Sequence, residues 1–106
     1  MKLGKKARAV GINHIALDVG NIDAAFEFYG TFLDFELRGK SETMAFIDLG
    51  DQFIALSQVP QQPRDDERHF GLVVDDKAAV RRALVDMGVE IVSDRFLDFY
   101  DPWGNR

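Results

Sequence analysis

The chain has 106 residues, 46% of them hydrophobic, and this length and composition fit a single compact domain. The absence of cysteine excludes disulfides, thiolate catalysis and thiolate metal sites, and is compatible with the cytoplasmic location that we expect. A net charge of −5 without a basic stripe argues against nucleic acid as a partner, and no run approaches the ~18 apolar residues of a membrane helix.

The first predicted elements are a strand and a helix, which follow a solvated basic arm at residues 1–10. Apolar residues alternate over residues 13–19, with His14 on the face opposite the apolar stripe, and this period is typical of a strand. Asn21 is predicted to cap a helix whose apolar residues recur every three or four positions. Three strands follow, at about residues 35–38, 44–49 and 52–57.

A polar, proline-containing linker at residues 58–68 separates these elements from a second set with the same order. The second set begins with a strand from His69, where the apolar residues again alternate. A helix capped by Asp75 or Asp76 follows, and Gly88 is predicted to end it in a left-handed conformation. Further strands are expected at about residues 89–92 and 96–100.

The two sets are copies of one another, because the spacings between their landmarks agree to within one residue. His14 opens the stretch HIALDV, and His69 opens the stretch HFGLVV. Gly50 lies 36 residues after His14, and Gly104 lies 35 residues after His69. Both glycines are expected in tight turns, since glycine accepts a positive φ. The second copy has no counterpart of the strand at residues 52–57.

We therefore predict an α+β fold of two βαβββ repeats, with mixed curled sheets around a shared cleft, in which the second repeat lacks its last strand. The first unit covers about residues 12–57 and the second covers 69–106, within one domain across residues 1–106. A pseudo-twofold axis would bring His14 and His69 together. The cleft forms within one chain or between two chains, and a homodimer is favoured because a missing strand exposes a sheet edge.

The two histidines suit a shared divalent metal ion, since neutral imidazole binds Fe, Mn, Ni and Zn. With a carboxylate as third ligand, such an ion keeps two adjacent open positions, at which a substrate chelates through neighbouring oxygens. The alternative is that His14 and His69 are structural hydrogen-bonding residues on half-buried strands. The sequence leaves both interpretations open.

Five stretches taken in order resemble the vicinal oxygen chelate superfamily, which includes glyoxalases, bleomycin-binding proteins, extradiol dioxygenases and fosfomycin-resistance transferases. The stretches span nearly the whole chain and are His14–Leu17, Phe28–Tyr29 with Leu33–Phe35, Ile47–Asp51, His69–Val74 and Asp101–Asn105. Their ordered combination is specific for the fold. It says much less about the reaction, because this fold hosts many chemistries.

The resemblance implies that His14 and His69 are the metal ligands of the first and fifth strands. A third ligand of the glyoxalases falls at Ala55, which cannot bind a metal, so the four-ligand glyoxalase site is not implied here. The remaining family ligand, a glutamate, would fall two or three residues past Arg106. A glutamate there supports a metal enzyme, whereas glutamine or an apolar residue supports a metal-free protein.

Four side chains are candidate ligand-binding residues of the cleft, namely Phe46, Phe53, Ser57 and Trp103. Alternation with Ala55 puts Phe53 and Ser57 on the face that carries the histidines, so these two are the preferred candidates. The alternative for the aromatic residues is plain sheet core, and for Trp103 it is the cover of a sheet edge. Asp101 precedes a proline and is expected to organise a turn rather than to bind a metal.

The sequence is compatible with three functional hypotheses: an enzyme, a metal-free binding protein and a regulatory module. The leading hypothesis is a small glyoxalase/bleomycin-resistance/dioxygenase-like protein that binds a small organic ligand in the cleft, with a divalent metal serving a lyase, dioxygenase or transferase reaction. The alternative is a metal-free protein that sequesters a drug or metabolite, for which the acidic body favours a cationic compound. A regulatory module with a vestigial cleft is a third interpretation. The sequence leaves open whether the protein is an enzyme.

Overall fold

The computed structural model describes residues 6–61, 63–65, 68–93 and 95–106. The first half of the predicted arm and three residues of the predicted linker lie outside the described residues. In chain order the elements are β1 (His14–Val19), α1 (Ile22–Phe32), β2 (Glu36–Lys40), β3 (Met44–Asp48), β4 (Phe53–Gln58) and α2 (Lys77–Asp86). In the part of the chain that is described, no helix has the length and apolar character needed to cross a membrane.

The four strands form one mixed sheet in the order β1-β4-β3-β2, and the sheet is open. β1 runs parallel to β4, with His14 opposite Phe53, while β3 is antiparallel to both β4 and β2. The pairing of β2 with β3 is shifted between Leu37 and Gly39, as a β-bulge shifts it. β1 therefore lies at one edge of the sheet, and its other side, which we call the free edge, is paired with none of the described strands.

Helix α1 packs against one face of the sheet, and this interface is the core of the first unit. The side chain of Asn21 accepts a hydrogen bond from the Ala24 amide at 2.8 Å, which confirms the predicted helix cap. The buried cluster draws on the inward positions of the strands and the apolar stripe of the helix: Leu17, Val19, Ile22, Ala25, Phe28, Tyr29, Ala45, Ile47, Ile54 and Leu56. The opposite face, which we call the open face, carries mostly exposed or half-exposed side chains.

The α+β class and the βαβββ order of the first unit are confirmed, but the second unit differs from the expectation in detail. Asp76 caps α2, and Gly88 follows the helix at φ +77° as predicted. The described residues at 69–74, 89–92 and 96–100, which were expected to be strands, form no ladder. The pairing that is present is one isolated bridge, between Ser93 and Asp98, and one bond from the Phe70 amide to the Arg106 carbonyl at 3.1 Å.

The physical reason is that a strand requires a partner along consecutive residues. In the first unit β4 lies alongside β1 and supplies this partner. In the described part of the second unit no counterpart of β4 lies beside residues 69–74. Leu97 also adopts φ +55°, a left-handed conformation that turns the chain tightly and interrupts an extended segment.

Residues 101–106, which we call the 101–106 turn, are organised around one buried carboxylate. Asp101 is 4% exposed and accepts four hydrogen bonds. The donors are the Tyr29 hydroxyl (2.8 Å), the Trp103 amide (3.0 Å), the Asn105 amide (2.9 Å) and the Asn105 side chain (2.8 Å). The prediction that Asp101 organises a turn is confirmed. Burial and the adjacent carboxylate raise the pKa of the Tyr29 hydroxyl.

We expect Asp101→Asn to lower the free energy of unfolding by about 2–4 kcal/mol, because an amide nitrogen would then face two of the four donors. Urea denaturation followed by tryptophan fluorescence measures the change. Asp51→Asn, at an exposed turn position, is the matched control and should remain within about 0.5 kcal/mol of the parent. An Asp101→Asn protein as stable as this control would contradict the role assigned to Asp101.

The raised pKa of Tyr29 predicts a loss of stability at alkaline pH. Below the unfolded-state pKa of about 10, the protonated Tyr29 hydroxyl makes its full contribution to the free energy of unfolding. This contribution is lost as the pH rises above that value. Above about pH 10 the free energy of unfolding should fall more steeply in the parent than in Tyr29→Phe, by about 1.4 kcal/mol per pH unit. Urea titrations across this range test the difference. Parallel pH profiles for the two proteins would refute it.

Candidate functional site

A row of aromatic and basic side chains lies on the open face and forms the first part of the candidate site. The rings of His14 and Phe53 stack in parallel, with centroids 4.7 Å apart and an interplanar angle of 9°. Phe46 meets Phe53 edge to face at 5.7 Å, and the guanidinium carbon of Arg38 lies 4.7 Å from the centre of the Phe53 ring. We call these four residues the open-face cluster. The ring of Phe53 contacts all three of the other side chains.

The register of the strands explains why these side chains converge. His14 on β1 is paired with Phe53 on β4, and Phe46 on β3 is paired with Ala55, two positions along β4. Paired residues of adjacent strands point to the same face, and so do positions i and i+2 of one strand. The alternation in the sequence therefore puts the imidazole and both phenyl rings together on the open face.

The imidazole of His14 is held by its neighbour in the chain as well as by the stack. Its Nδ1 lies 2.8 Å from the side-chain oxygen of Asn13. An amide oxygen only accepts hydrogen bonds, so Nδ1 donates the proton. The other ring nitrogen, Nε2, then keeps its lone pair. A neutral imidazole in this tautomer is suited to bind a metal ion or to accept a proton through Nε2.

Arg38 joins the open-face cluster to the turn between β3 and β4. One terminal nitrogen, Nη2, donates to the Asp48 carboxylate at 2.8 Å and to the carbonyls of Gly50 and Gln52 at 2.7 and 3.3 Å. The hydrogen bond from Arg38 lowers the pKa of Asp48 below its ordinary value. Arg38 is thus held from the turn side while its guanidinium carbon lies over Phe53, so it forms one boundary of the cluster.

His69 lies in a second place, a groove beside the free edge of β1. This groove, which we call the His69 groove, has a volume of about 450 Å³. Its walls are residues 15–18 of β1, residues 63–65, residues 68–70 and residues 105–106. His69 itself is exposed. His14 is the residue directly before Ile15, where the part of β1 that lines the groove begins.

The other two candidate residues lie apart from one another. Ser57 is half-buried on the open face, opposite Asp18 of β1, as its alternation with Phe53 predicts. Trp103 lies in the 101–106 turn, where its indole packs so closely on Gly20 that a Cβ there would overlap it. The structure therefore brings together His14, Phe53 and Phe46 and keeps Ser57 on their face, but it places Trp103 against the core instead.

The chemistry and placement of the donor side chains decide whether a metal ion fits this site. In the ranges that the structure describes, no group of three or more histidine, aspartate or glutamate side chains is placed to hold one. The described residues therefore supply two ligands of the right chemistry, the exposed imidazoles of His14 and His69, and the rest of a coordination shell would come from other oxygen or nitrogen donors. Both imidazoles are exposed and so accessible to an ion. Ala55, buried at 5% exposure between Ala16 and Phe46, offers no ligand atom.

The sequence analysis did not predict two residues of the site, Asn13 and Arg38. Asn13 directly precedes His14, and an amide next to a candidate metal ligand could have indicated a hydrogen-bonding partner for the imidazole. Arg38 directly follows Leu37, which pairs with the buried Ile47, so alternation along β2 puts Arg38 on the open face and was the available signal.

Comparisons with known proteins agree with this architecture. The family model of the Glyoxalase/Bleomycin resistance protein/Dioxygenase superfamily matches residues 11–106. A metallothiol transferase FosB of Staphylococcus haemolyticus is 37% identical over 70 residues, which are 62% of this chain and 50% of the relative. The metallothiol transferase FosB of Staphylococcus epidermidis is 36% identical over the same length. The chain spans about half the length of the curated relatives it matches.

Solved structures carry the same fold. A lactoylglutathione lyase from Agrobacterium tumefaciens superposes with a TM-score of 0.70 at 20% identity, covering 93% of this chain and 91% of that one. A glyoxalase/bleomycin resistance protein/dioxygenase from Alicyclobacillus acidocaldarius gives a TM-score of 0.62 at 22% identity, covering 91% and 86%. The resemblance found in the sequence is thereby confirmed. Since the family model covers nearly the whole chain, this protein belongs to the Glyoxalase/Bleomycin resistance protein/Dioxygenase superfamily.

Proposed function

We propose that the protein binds a small organic molecule against the open face of its sheet, on a divalent metal ion held by His14 and His69, and acts as a metal-dependent transferase or lyase. The observation that carries the proposal is the presentation of His14, whose ring is stacked on Phe53 and whose Nδ1 is engaged by Asn13. His69 is the equivalent residue of the repeat. The partial likeness to metallothiol transferases favours group transfer among the chemistries of the superfamily.

A bound divalent ion supplies Lewis acidity toward oxygen atoms of a chelating ligand. The chain's own residues provide the surroundings. Phe46 and Phe53 form an apolar wall that excludes water from one side of the ligand, and the Ser57 hydroxyl lies on the same face as a hydrogen-bonding group. The exposed and half-exposed side chains of the uncovered open face support the further proposal that the protein works as a homodimer.

A metal-free binding protein is the second candidate, and one observation favours it. The described residues offer two metal ligands where a stable site in this chemistry uses three or more. In that case the parallel stack of His14 on Phe53, with Phe46 at its edge, is a platform for a flat aromatic compound. Metal content separates the two candidates.

Metal binding by the parent protein and two histidine variants tests the leading proposal. We expect about one divalent ion per chain. His14→Ala and His69→Ala should each weaken the affinity at least 100-fold, which is about the largest loss caused by removing only the hydrogen-bonding partner of a metal ligand. Calorimetric titration with Zn²⁺ and Mn²⁺ measures this. Because both histidines are exposed, both variants should remain folded; His69→Ala should stay within about 0.5 kcal/mol of the parent, and His14→Ala should lose at most about 1.5 kcal/mol with its stack on Phe53.

Glu36→Gln is the matched control, since Glu36 lies on β2, at the opposite edge of the sheet from β1. It should bind metal as the parent does. Stoichiometric binding retained by either histidine variant would exclude the proposed site. No binding of any divalent ion by the parent would favour the metal-free candidate.

The role of Asn13 gives a separate prediction. Asn13→Ala should release the Nδ1 proton of His14, so that ¹⁵N chemical shifts of the imidazole report a mixture of tautomers instead of one. Metal affinity should fall about 10- to 100-fold with the loss of this partner. Asn13→Asp keeps an acceptor and should preserve the single tautomer. An unchanged His14 spectrum in Asn13→Ala would show that the contact does not set the tautomer.

A further inference from the structure

The 101–106 turn contacts both segments that carry a histidine. The side-chain nitrogen of Asn105 donates to the backbone oxygen of Asp18 at 2.8 Å, on the free edge of β1. The next residue, Arg106, accepts through its backbone oxygen from the amide of Phe70 at 3.1 Å. His14 begins β1, and His69 directly precedes Phe70. Two consecutive residues of one turn therefore bridge the two histidine-bearing segments across the His69 groove.

This bridge is built on a fixed support. Asn105 is tied to Asp101 by three hydrogen bonds, from its amide (2.9 Å), from its side chain (2.8 Å) and through its carbonyl (2.8 Å). Asp101 is in turn bonded to Tyr29 in the core. The same turn accepts the Asp65 amide at the Gly104 carbonyl, at 3.0 Å, and so also anchors the chain that leads to His69.

The chemistry of the bridge is specific to an amide side chain. Nδ2 of Asn105 carries two N–H groups, and its two acceptors are the Asp18 carbonyl and the Asp101 carboxylate. An aspartate at this position would place a carboxylate against both acceptors. A hydroxyl has one proton and could serve only one of them. An amide nitrogen meets the requirement with both of its protons.

We propose that Asn105 is a positioning residue that fixes the His69 segment relative to β1 and thereby sets the separation of the two imidazoles. Two ligands act as one chelating site only when their relative placement is held to about 0.5 Å. The consequence for metal binding rests on the proposed function, whereas the positioning itself does not. Without the bridge, His14 and His69 become two independent, weaker ligands.

The first test measures positioning without metal. Because the chain has no cysteine, Ala16→Cys on β1 and Val73→Cys beyond His69 give two exposed and unique sites for spin labels. Pulsed electron resonance should give a narrow distance distribution in the parent background and a broadened or shifted one with Asn105→Ala or Asn105→Asp. Asn21→Ala is the matched control, because it removes the α1 cap and leaves the bridge intact. An unchanged distribution in Asn105→Ala overturns the proposal.

The second test follows the ring protons of both histidines by NMR during titration with Zn²⁺. In the parent the two rings should respond with one shared midpoint. In Asn105→Ala the midpoints should separate and the affinity should fall about 10- to 100-fold. In Asn21→Ala the shared midpoint should remain. If Asn21→Ala changes the titration as much as Asn105→Ala, the effect is general destabilisation and the proposal is overturned.

The two tests separate this inference from the function on which its metal consequence rests. If the parent's histidines do not respond to Zn²⁺, the proposed metal site fails, and the distance measurement still decides whether Asn105 positions the two segments. If the parent binds Zn²⁺ and Asn105→Ala titrates identically, the positioning proposal fails and the metal site stands.

Discussion

The buried carboxylate of Asp101 is the interaction on which the arrangement of the two units depends. A polar group removed from water costs several kcal/mol unless hydrogen bonds replace the lost hydration. Asp101 meets this requirement with four donors, and these come from α1, from its own turn and from the side chain that reaches β1. The 101–106 turn therefore has one position relative to α1 and β1 at which all four donors reach the carboxylate. Because residues 105–106 form one wall of the His69 groove, this position decides where the groove lies.

Elements that depend on local chemistry were predictable from the sequence. The caps at Asn21 and Asp76, the glycine turns at Gly50 and Gly104 and the alternation of β1 all follow from a few neighbouring residues, and the structure contains each of them. The strands of the second unit were not predictable in the same way. Residues 69–74 have the alternation of a strand, but a ladder also needs a partner alongside, and the second unit has no counterpart of the strand at residues 52–57.

The same division applies to the candidate site. His14, Phe46 and Phe53 share a face because side chains alternate along paired strands, so periodicity alone brings them together. Arg38 joins them from β2, where it directly follows Leu37, the partner of the buried Ile47. Trp103 lies in a turn, where no period applies; its amide is held by Asp101, and its indole occupies the space that the missing Cβ of Gly20 leaves open. The relative placement of His14 and His69 depends on bonds between residues that are far apart in the sequence.

Those bonds also imply an order of folding. The contacts from Tyr29 to Asp101 and from Asp18 to Asn105 close loops of 72 and 87 residues, whereas α1 and the hairpins β2–β3 and β3–β4 close locally. Long loops cost more entropy to close, so contacts of this kind form late. During synthesis the groove cannot exist until residue 105 has left the ribosome. Until then the chain lacks the residues that hold Phe70 at the edge of the core, and apolar side chains left uncovered in this way favour aggregation of a growing chain.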